Sequence, residues 1–213
     1  MRVLPVRVEV SAQKQFCSLS LANAGSEPVT VQIRAYRWSQ DSQGKDLLAS
    51  ATDMPLNPAI ATIKAGEARM IRCGLPDHVG QQEDSYRLII DELPRTVASP
   101  GQVQTLLRLS VPVFRAPAGA GARLGWVTGQ DAAGKAWIEL TNTGHRHLQI
   151  GAIQLHLRAN GAPVKIAKGF YLLAGSQTRI VLPIARGDDV ATVEADTDVG
   201  PLTAVAMGRA SGE

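Results

Sequence analysis

Aromatic residues are scarce in this sequence: three each of Phe, Trp and Tyr, or 4% of 213 residues. The Lys and Arg residues are scattered rather than clustered. A nucleic-acid surface usually gathers basic residues and interleaves them with aromatics, so no nucleic-acid partner is expected. Neither half is dominated by one sign of charge, with 13 Lys and Arg facing 11 Asp and Glu through Ala116 and 9 facing 8 beyond it. No run of about 18 apolar residues occurs, so no helix is expected to insert in a membrane. Met1-Arg2-Val3-Leu4-Pro5 is not followed by an apolar stretch, and no signal peptide is read at the start of the sequence as given.

Cysteine is equally sparse. Cys17 and Cys73 lie far apart, unlike any CxxC redox or zinc pattern, and are either a disulfide or two buried thiols. HExxH, GxSxG and P-loop motifs are missing, so no catalytic residue and no cofactor is assigned, and an enzyme is not expected. His145-Arg146-His147 places two imidazoles on one face of a strand. Three or four ligands make a metal site, and no Cys or carboxylate at ligand spacing joins these two, so the segment reads as a solvated loop.

What is present is a β pattern written twice. Phe16-Cys17-Ser18-Leu19-Ser20-Leu21 alternates and stops at Asn23-Ala24-Gly25, and alternation resumes over Val29–Tyr36. Downstream, Trp137-Ile138-Glu139-Leu140 runs into Asn142-Thr143-Gly144 and returns as Leu148-Gln149-Ile150 and Ile153–Leu157. Lys64-Ala65-Gly66-Glu67 precedes the strand Met70–Cys73, as Leu173-Ala174-Gly175-Ser176 precedes Arg179–Leu182. Matched pieces in matched order predict an all-β fold of two sandwiches, residues 1–116 and 122–213, with a small-residue hinge over 117–121. Cys17 shares the inward parity of Leu19, and Cys73 that of Ile71.

Arginines planted in strand patterns remain to be explained: Arg7 in Val6-Arg7-Val8, Arg87 in Tyr86-Arg87-Leu88, and Arg108 in the apolar run QTLLRLSVPVF, Gln104 to Phe114. Several converging would make a carboxylate site, because guanidinium binds carboxylate through two parallel hydrogen bonds.

Several stretches, in this order, resemble the PapD-like periplasmic chaperones of the chaperone-usher pilus pathway. They are Leu19–Gly25, Arg37-Trp38, Asn57-Pro58-Ala59, Ala65-Gly66-Glu67, Asp84-Ser85-Tyr86-Arg87, Asp91-Glu92-Leu93-Pro94 and Val111-Pro112-Val113-Phe114. Gly169–Ser176 is similar to the version in the archaic, Csu-type branch. The resemblance implies two immunoglobulin-like domains set in a boomerang. It also implies a periplasmic location, pilus subunits and an outer-membrane usher as partners, and no cofactor. The last strand of the first domain would be lent to a subunit that lacks one, a case of β-strand addition. Val103, Thr105, Leu107, Leu109 and Val111 would share the lent face, with Arg108 opposite. An exposed apolar edge is an aggregation hazard, so a self-capping homodimer is expected without subunit.

The resemblance further implies that basic residues hold the subunit's terminal carboxylate. One maps onto Arg7. The other, a lysine in the family, maps onto Pro112, and Arg87 is the candidate replacement, ahead of Arg108. An interdomain charge cluster would draw on Glu83, Arg115 and Asp196. On the residues alone, the alternative is a two-domain immunoglobulin-like structural or adhesive protein of the cell surface.

Overall fold

The computed structural model describes residues 1–77, 80–94, 104–159, 161–184 and 189–207. No α-helix occurs among them. The chain divides into two compact units. The first comprises Met1–Trp38, Leu48–Gly80 and Asp84–Ala118; the second comprises Ser39–Leu47, Gln81–Glu83 and Gly119–Glu213.

Among the described residues between 1 and 118 lie ten strands: β1 (Arg2–Leu4), β2 (Val8–Val10), β3 (Phe16–Ala22), β4 (Val29–Gln40), β5 (Asp46–Ser50), β6 (Leu56–Asn57), β7 (Ile60–Ile63), β8 (Ala68–Gly74), β9 (Asp84–Glu92) and β10 (Arg108–Arg115). They form two facing sheets, β1-β3-β8-β6 and β2-β10-β9-β4-β5, with β7 added on β4. Alternate residues of β3 and β7 turn inward, as a pleated strand requires. Leu19, Leu21 and Ile71 from one sheet thus meet Val31, Ile33, Tyr86, Leu88, Ile90, Val111 and Val113 from the other in one core. Cys17 pairs directly with Cys73 across β3 and β8, and the two are joined by a disulfide. The open choice between a bond and two thiols is thereby closed for this structure.

Eight further strands follow among the described residues: β11 (Leu124–Gln130), β12 (Ala136–Asn142), β13 (Leu148–Leu157), β14 (Val164–Ile166), β15 (Phe170–Leu172), β16 (Gln177–Val181), β17 (Val190–Thr197) and β18 (Gly200–Ala206). Their order is β14-β13-β17-β18-β11-β12-β16, with β15 on β13, around a second core that includes Ile138, Leu140, Leu148, Ile153 and Val193. Each unit is an immunoglobulin-like β-sandwich.

The written repeat has an atomic counterpart. Asn23, 2% exposed, donates from Nδ2 to Glu27 O (2.7 Å) and Ile63 O (3.1 Å) and accepts Gly25 N–H at Oδ1 (3.0 Å). Asn142, fully buried, donates to Arg146 O (2.7 Å) and Leu172 O (3.2 Å) and accepts Gly144 N–H (3.0 Å). In both copies a glycine at positive φ, Gly66 or Gly175, gives its N–H to the asparagine carbonyl. The positive φ explains glycine there, since a Cβ would be strained. A buried amide with its polar atoms bonded ties three chain segments together without the cost of an orphaned polar group.

Candidate functional site

β10 carries four of the residues singled out in the sequence, Arg108, Leu109, Val111 and Arg115. It pairs with β9 along its whole length but with β2 only at Val113, Phe114 and Arg115. From Arg108 to Pro112 the side away from β9 therefore has no strand partner among the described residues. Before β10, Thr105, Leu106 and Leu107 are exposed, the two leucines by 41% and 42%. Leu107 O accepts the N–H of Glu92 at 2.9 Å, so the chain still follows β9 at that point. Leu109 is half-buried against the edge of the core.

Val111 is 1% exposed and packs inside its own domain, which corrects the expectation that it belongs to the lent face. Alternation gave it the same parity as Leu107, but the inward face of β10 is covered by the domain's own sandwich from Val111 onward. Val103 lies outside the described residues.

The outer face of the same sheet is polar and cationic. Arg108 bonds through Nε to Asp91 Oδ1, and the other oxygen of Asp91 takes Arg34 at 2.6 Å. Arg108, and then Arg34, hold the Asp91 carboxyl below the usual carboxylate range, against a smaller opposing effect of burial than that of Arg108. That pairing accounts for a charge inside an apolar strand: Arg108 points away from the core and pins the start of β10 to β9 and β4.

Two rows further along from the Arg108–Asp91 pair, Arg87 stands opposite Pro112 on β10 and opposite Tyr36 on β4. Arg7 immediately precedes Val8, which pairs with Val113, and so lies at the level of Pro112 on the strand's other side. The parallel register of β2 and the antiparallel register of β9 thus place Arg7 and Arg87 on either flank of Pro112. Arg7 is paired with Glu9 at 3.0 Å and is 28% exposed at its side chain. The guanidinium carbon of Arg87 lies 3.6 Å from the ring centroid of Trp38.

Of the three residues expected in a charge cluster, Arg115 and Glu83 have side-chain partners. Arg115 is buried and donates to Asp84 (3.0 Å) and Pro76 O (2.6 Å). Glu83 receives the backbone N–H of His147 (2.8 Å), and its Oε2 lies 2.7 Å from Nδ1 of the same residue. Asp196 is exposed on β17. His147 corrects the reading of its segment as a solvated loop: it is fully buried, with Asp198 Oδ2 3.7 Å from Nε2 and the Tyr171 ring 5.8 Å away. Only His145 of that pair is exposed. Sequence reasoning also missed the stacking of Arg87 on Trp38, which depends on a register that no local pattern reveals.

The family profile described as pili and flagellar-assembly chaperone, PapD N-terminal domain, matches residues 1–121, more than half of the chain. The chain belongs to this family of assembly chaperones. Solved structures of such chaperones share the fold. A chain of the CsuC–CsuE chaperone–tip adhesion subunit pre-assembly complex, from the archaic chaperone-usher Csu pili of Acinetobacter baumannii, aligns with a TM-score of 0.78 and 23% identity. That alignment covers 97% of this chain and 99% of the other. The class 5 fimbriae chaperone CfaA aligns at 0.68 with 12% identity, covering 97% and 99%. A chain from the Salmonella enterica SafA pilin–SafB chaperone complex aligns at 0.65 with 15% identity, covering 96% and 95%. No curated protein matches the sequence. In this assembly chaperone the register sets Arg7 and Arg87 beside Pro112.

Proposed function

We propose that this assembly chaperone acts in the periplasm, in the archaic branch of the chaperone-usher pathway. It captures pilus subunits by strand donation and passes them to an outer-membrane usher. The observation that carries the reading is the edge of β10. Among the described residues, its backbone from Arg108 to Pro112 lacks a strand partner on one side, and it is preceded by exposed Leu106 and Leu107. Main-chain hydrogen bonds along that edge supply affinity, while Thr105, Leu107 and Leu109 fill pockets in the subunit. Arg7 and Arg87 hold the subunit's terminal carboxylate, with Arg87 in place of the lysine that Pro112 removes. The chemistry is binding, without a catalytic residue or a cofactor. Residues 1–116 form the strand-donating domain, 117–121 the hinge and 122–213 the second domain, and Glu83, Arg115 and Asp196 contribute to holding the two domains together.

The test is a pull-down of the tagged protein from the periplasm of its host, with mass spectrometry of what accompanies it. A small β-rich subunit in about equal amount, lost in Leu107→Asp, supports the reading. A protein recovered alone while pili are being made overturns it in favour of a structural or adhesive role. Without subunit, the exposed edge self-associates into a homodimer. Size exclusion over a concentration series checks this, and a monomer at every concentration refutes it.

A further inference from the structure

We infer that Trp38, backed by Phe114, is a positioning residue for Arg87 that orients its guanidinium for a carboxylate. This rests on the assignment of Arg87 as an anchor given above. Trp38 follows Tyr36 by two residues on β4, so both rings share the outer face with Arg87, which is opposite Tyr36. The guanidinium carbon sits 3.6 Å from the Trp38 ring centroid, a stacking distance. The indole is held in turn. It is 4% exposed, and the Phe114 ring, 1% exposed, lies 5.7 Å away at a 40° tilt. Ser85, opposite Phe114 on β9, has a side chain small enough to let rings from β4 and β10 approach across the intervening strand.

This arrangement changes what the anchor is. A lysine brings a point charge on a flexible stem, whereas arginine brings a planar fork. Stacking uses the face of the guanidinium and hydrogen bonding uses its in-plane N–H edge, so one group can rest on Trp38 and present two parallel donors to a carboxylate. Holding the side chain in one orientation before binding removes entropy that association would otherwise cost. Pro112, with no polar side chain, adds no donor of its own beside the flanking arginines.

The test is a double-mutant cycle on capture of the subunit recovered in the pull-down, measured as a dissociation constant with Arg87→Ala, Trp38→Leu and the double variant. Arg87→Ala weakens capture by at least about thirtyfold, as loss of one partner in a desolvated charge pair does. Trp38→Leu weakens it roughly tenfold. In the Arg87→Ala background, Trp38→Leu costs less than about twofold, because a residue acting through Arg87 has nothing left to position. Equal loss from Trp38→Leu in both backgrounds makes Trp38 a general packing residue and overturns the inference while leaving the anchor intact. No loss from Arg87→Ala overturns the anchor and the inference together, whereas the strand-donation reading is judged separately by Leu107→Asp.

Arg87→Lys, at a partly exposed position, guards against misfolding of the tryptophan variant. It keeps the charge but loses the flat stack, and it weakens capture nearly as much as Trp38→Leu; full capture by Arg87→Lys overturns the inference. In the free protein, the Arg87 Nε–H resonance is shifted upfield by the indole ring current and returns to its ordinary position in Trp38→Leu. An ordinary position in the wild type overturns it as well.

Discussion

Leu107 and Val111 have the same strand parity and similar chemistry, yet the structure predicts opposite consequences of placing a charge at each. Leu107 is 42% exposed, so Leu107→Asp puts its carboxylate in water and costs the free protein little. Full burial of a leucine is worth about 1.5–3 kcal/mol. The exposed 42% that a subunit would cover is then worth roughly 0.6–1.3 kcal/mol. Leu107→Ala should accordingly weaken capture about three- to tenfold, and Leu107→Asp much more, since an unpaired charge would be forced into an apolar groove.

Val111 is 1% exposed. Val111→Asp removes a core side chain and buries a carboxyl, together costing about 5 kcal/mol or more. That is comparable with the whole stability of many domains. Urea unfolding and subunit capture, run side by side, decide the matter. Leu107→Asp should keep a wild-type midpoint and lose capture, while Val111→Asp should lose the first domain's transition. A Val111→Asp variant that folds normally and fails only in capture would refute a core role for Val111 and restore it to the lent face.

Removing the disulfide with Cys17→Ala/Cys73→Ala opens a loop of 56-residue separation. On the chain-entropy estimate it should destabilise the first domain by about 4 kcal/mol, seen as a lowered thermal midpoint of that domain alone; a change below about 1 kcal/mol would contradict it. Asn142→Ala strips the donors from Arg146 O and Leu172 O and the acceptor from Gly144 N–H. It should cost the second domain about 2–4 kcal/mol by urea titration, with the first domain unmoved. Asp91 has a depressed carboxyl pKa in the fold, so its contribution is present above the unfolded value of about 3.9 and is lost as pH falls through the folded value. Asp91→Asn should therefore flatten the acid limb of the stability–pH curve below about pH 4, by a small amount because both guanidiniums are largely exposed, and leave the neutral limb parallel to wild type.

Much of the architecture could be read from local pattern. The Asn-x-Gly turns at Asn23 and Asn142, the glycine turns at Gly66 and Gly175 and the alternation around them are short-range signals, and each reflects a physical demand of its own neighbourhood. Cys17 and Cys73 could be placed on inward faces by parity alone. The errors arose where the deciding neighbour is remote in sequence. Parity along β10 does not say where the domain's own core begins to cover the strand, so Leu107 and Val111 looked alike. His147 looked solvated beside His145 because its partner, Glu83, is 64 residues away. Arg108, Asp91 and Arg34 belong to three strands, and only the register brings them together. The flanking of Pro112 by Arg7 and Arg87 needs two registers at once, one parallel and one antiparallel.

The unbroken passage of β10 from a buried root to an exposed tip also has a mechanical consequence. Eight residue pairs, Arg108–Asp91 to Arg115–Asp84, bind it to β9, and Val8–Val10 grip its far end. A cargo tugging on the tip along the strand axis loads these bonds in shear, so that they resist together rather than peeling open one after another. Force applied across the strand at the Arg108–Pro112 edge, which has no strand partner among the described residues, meets the bonds to the cargo itself. The same handle is thus strong lengthwise and weak sideways, and a cargo leaves most readily by being unzipped from that edge in the plane of the sheet.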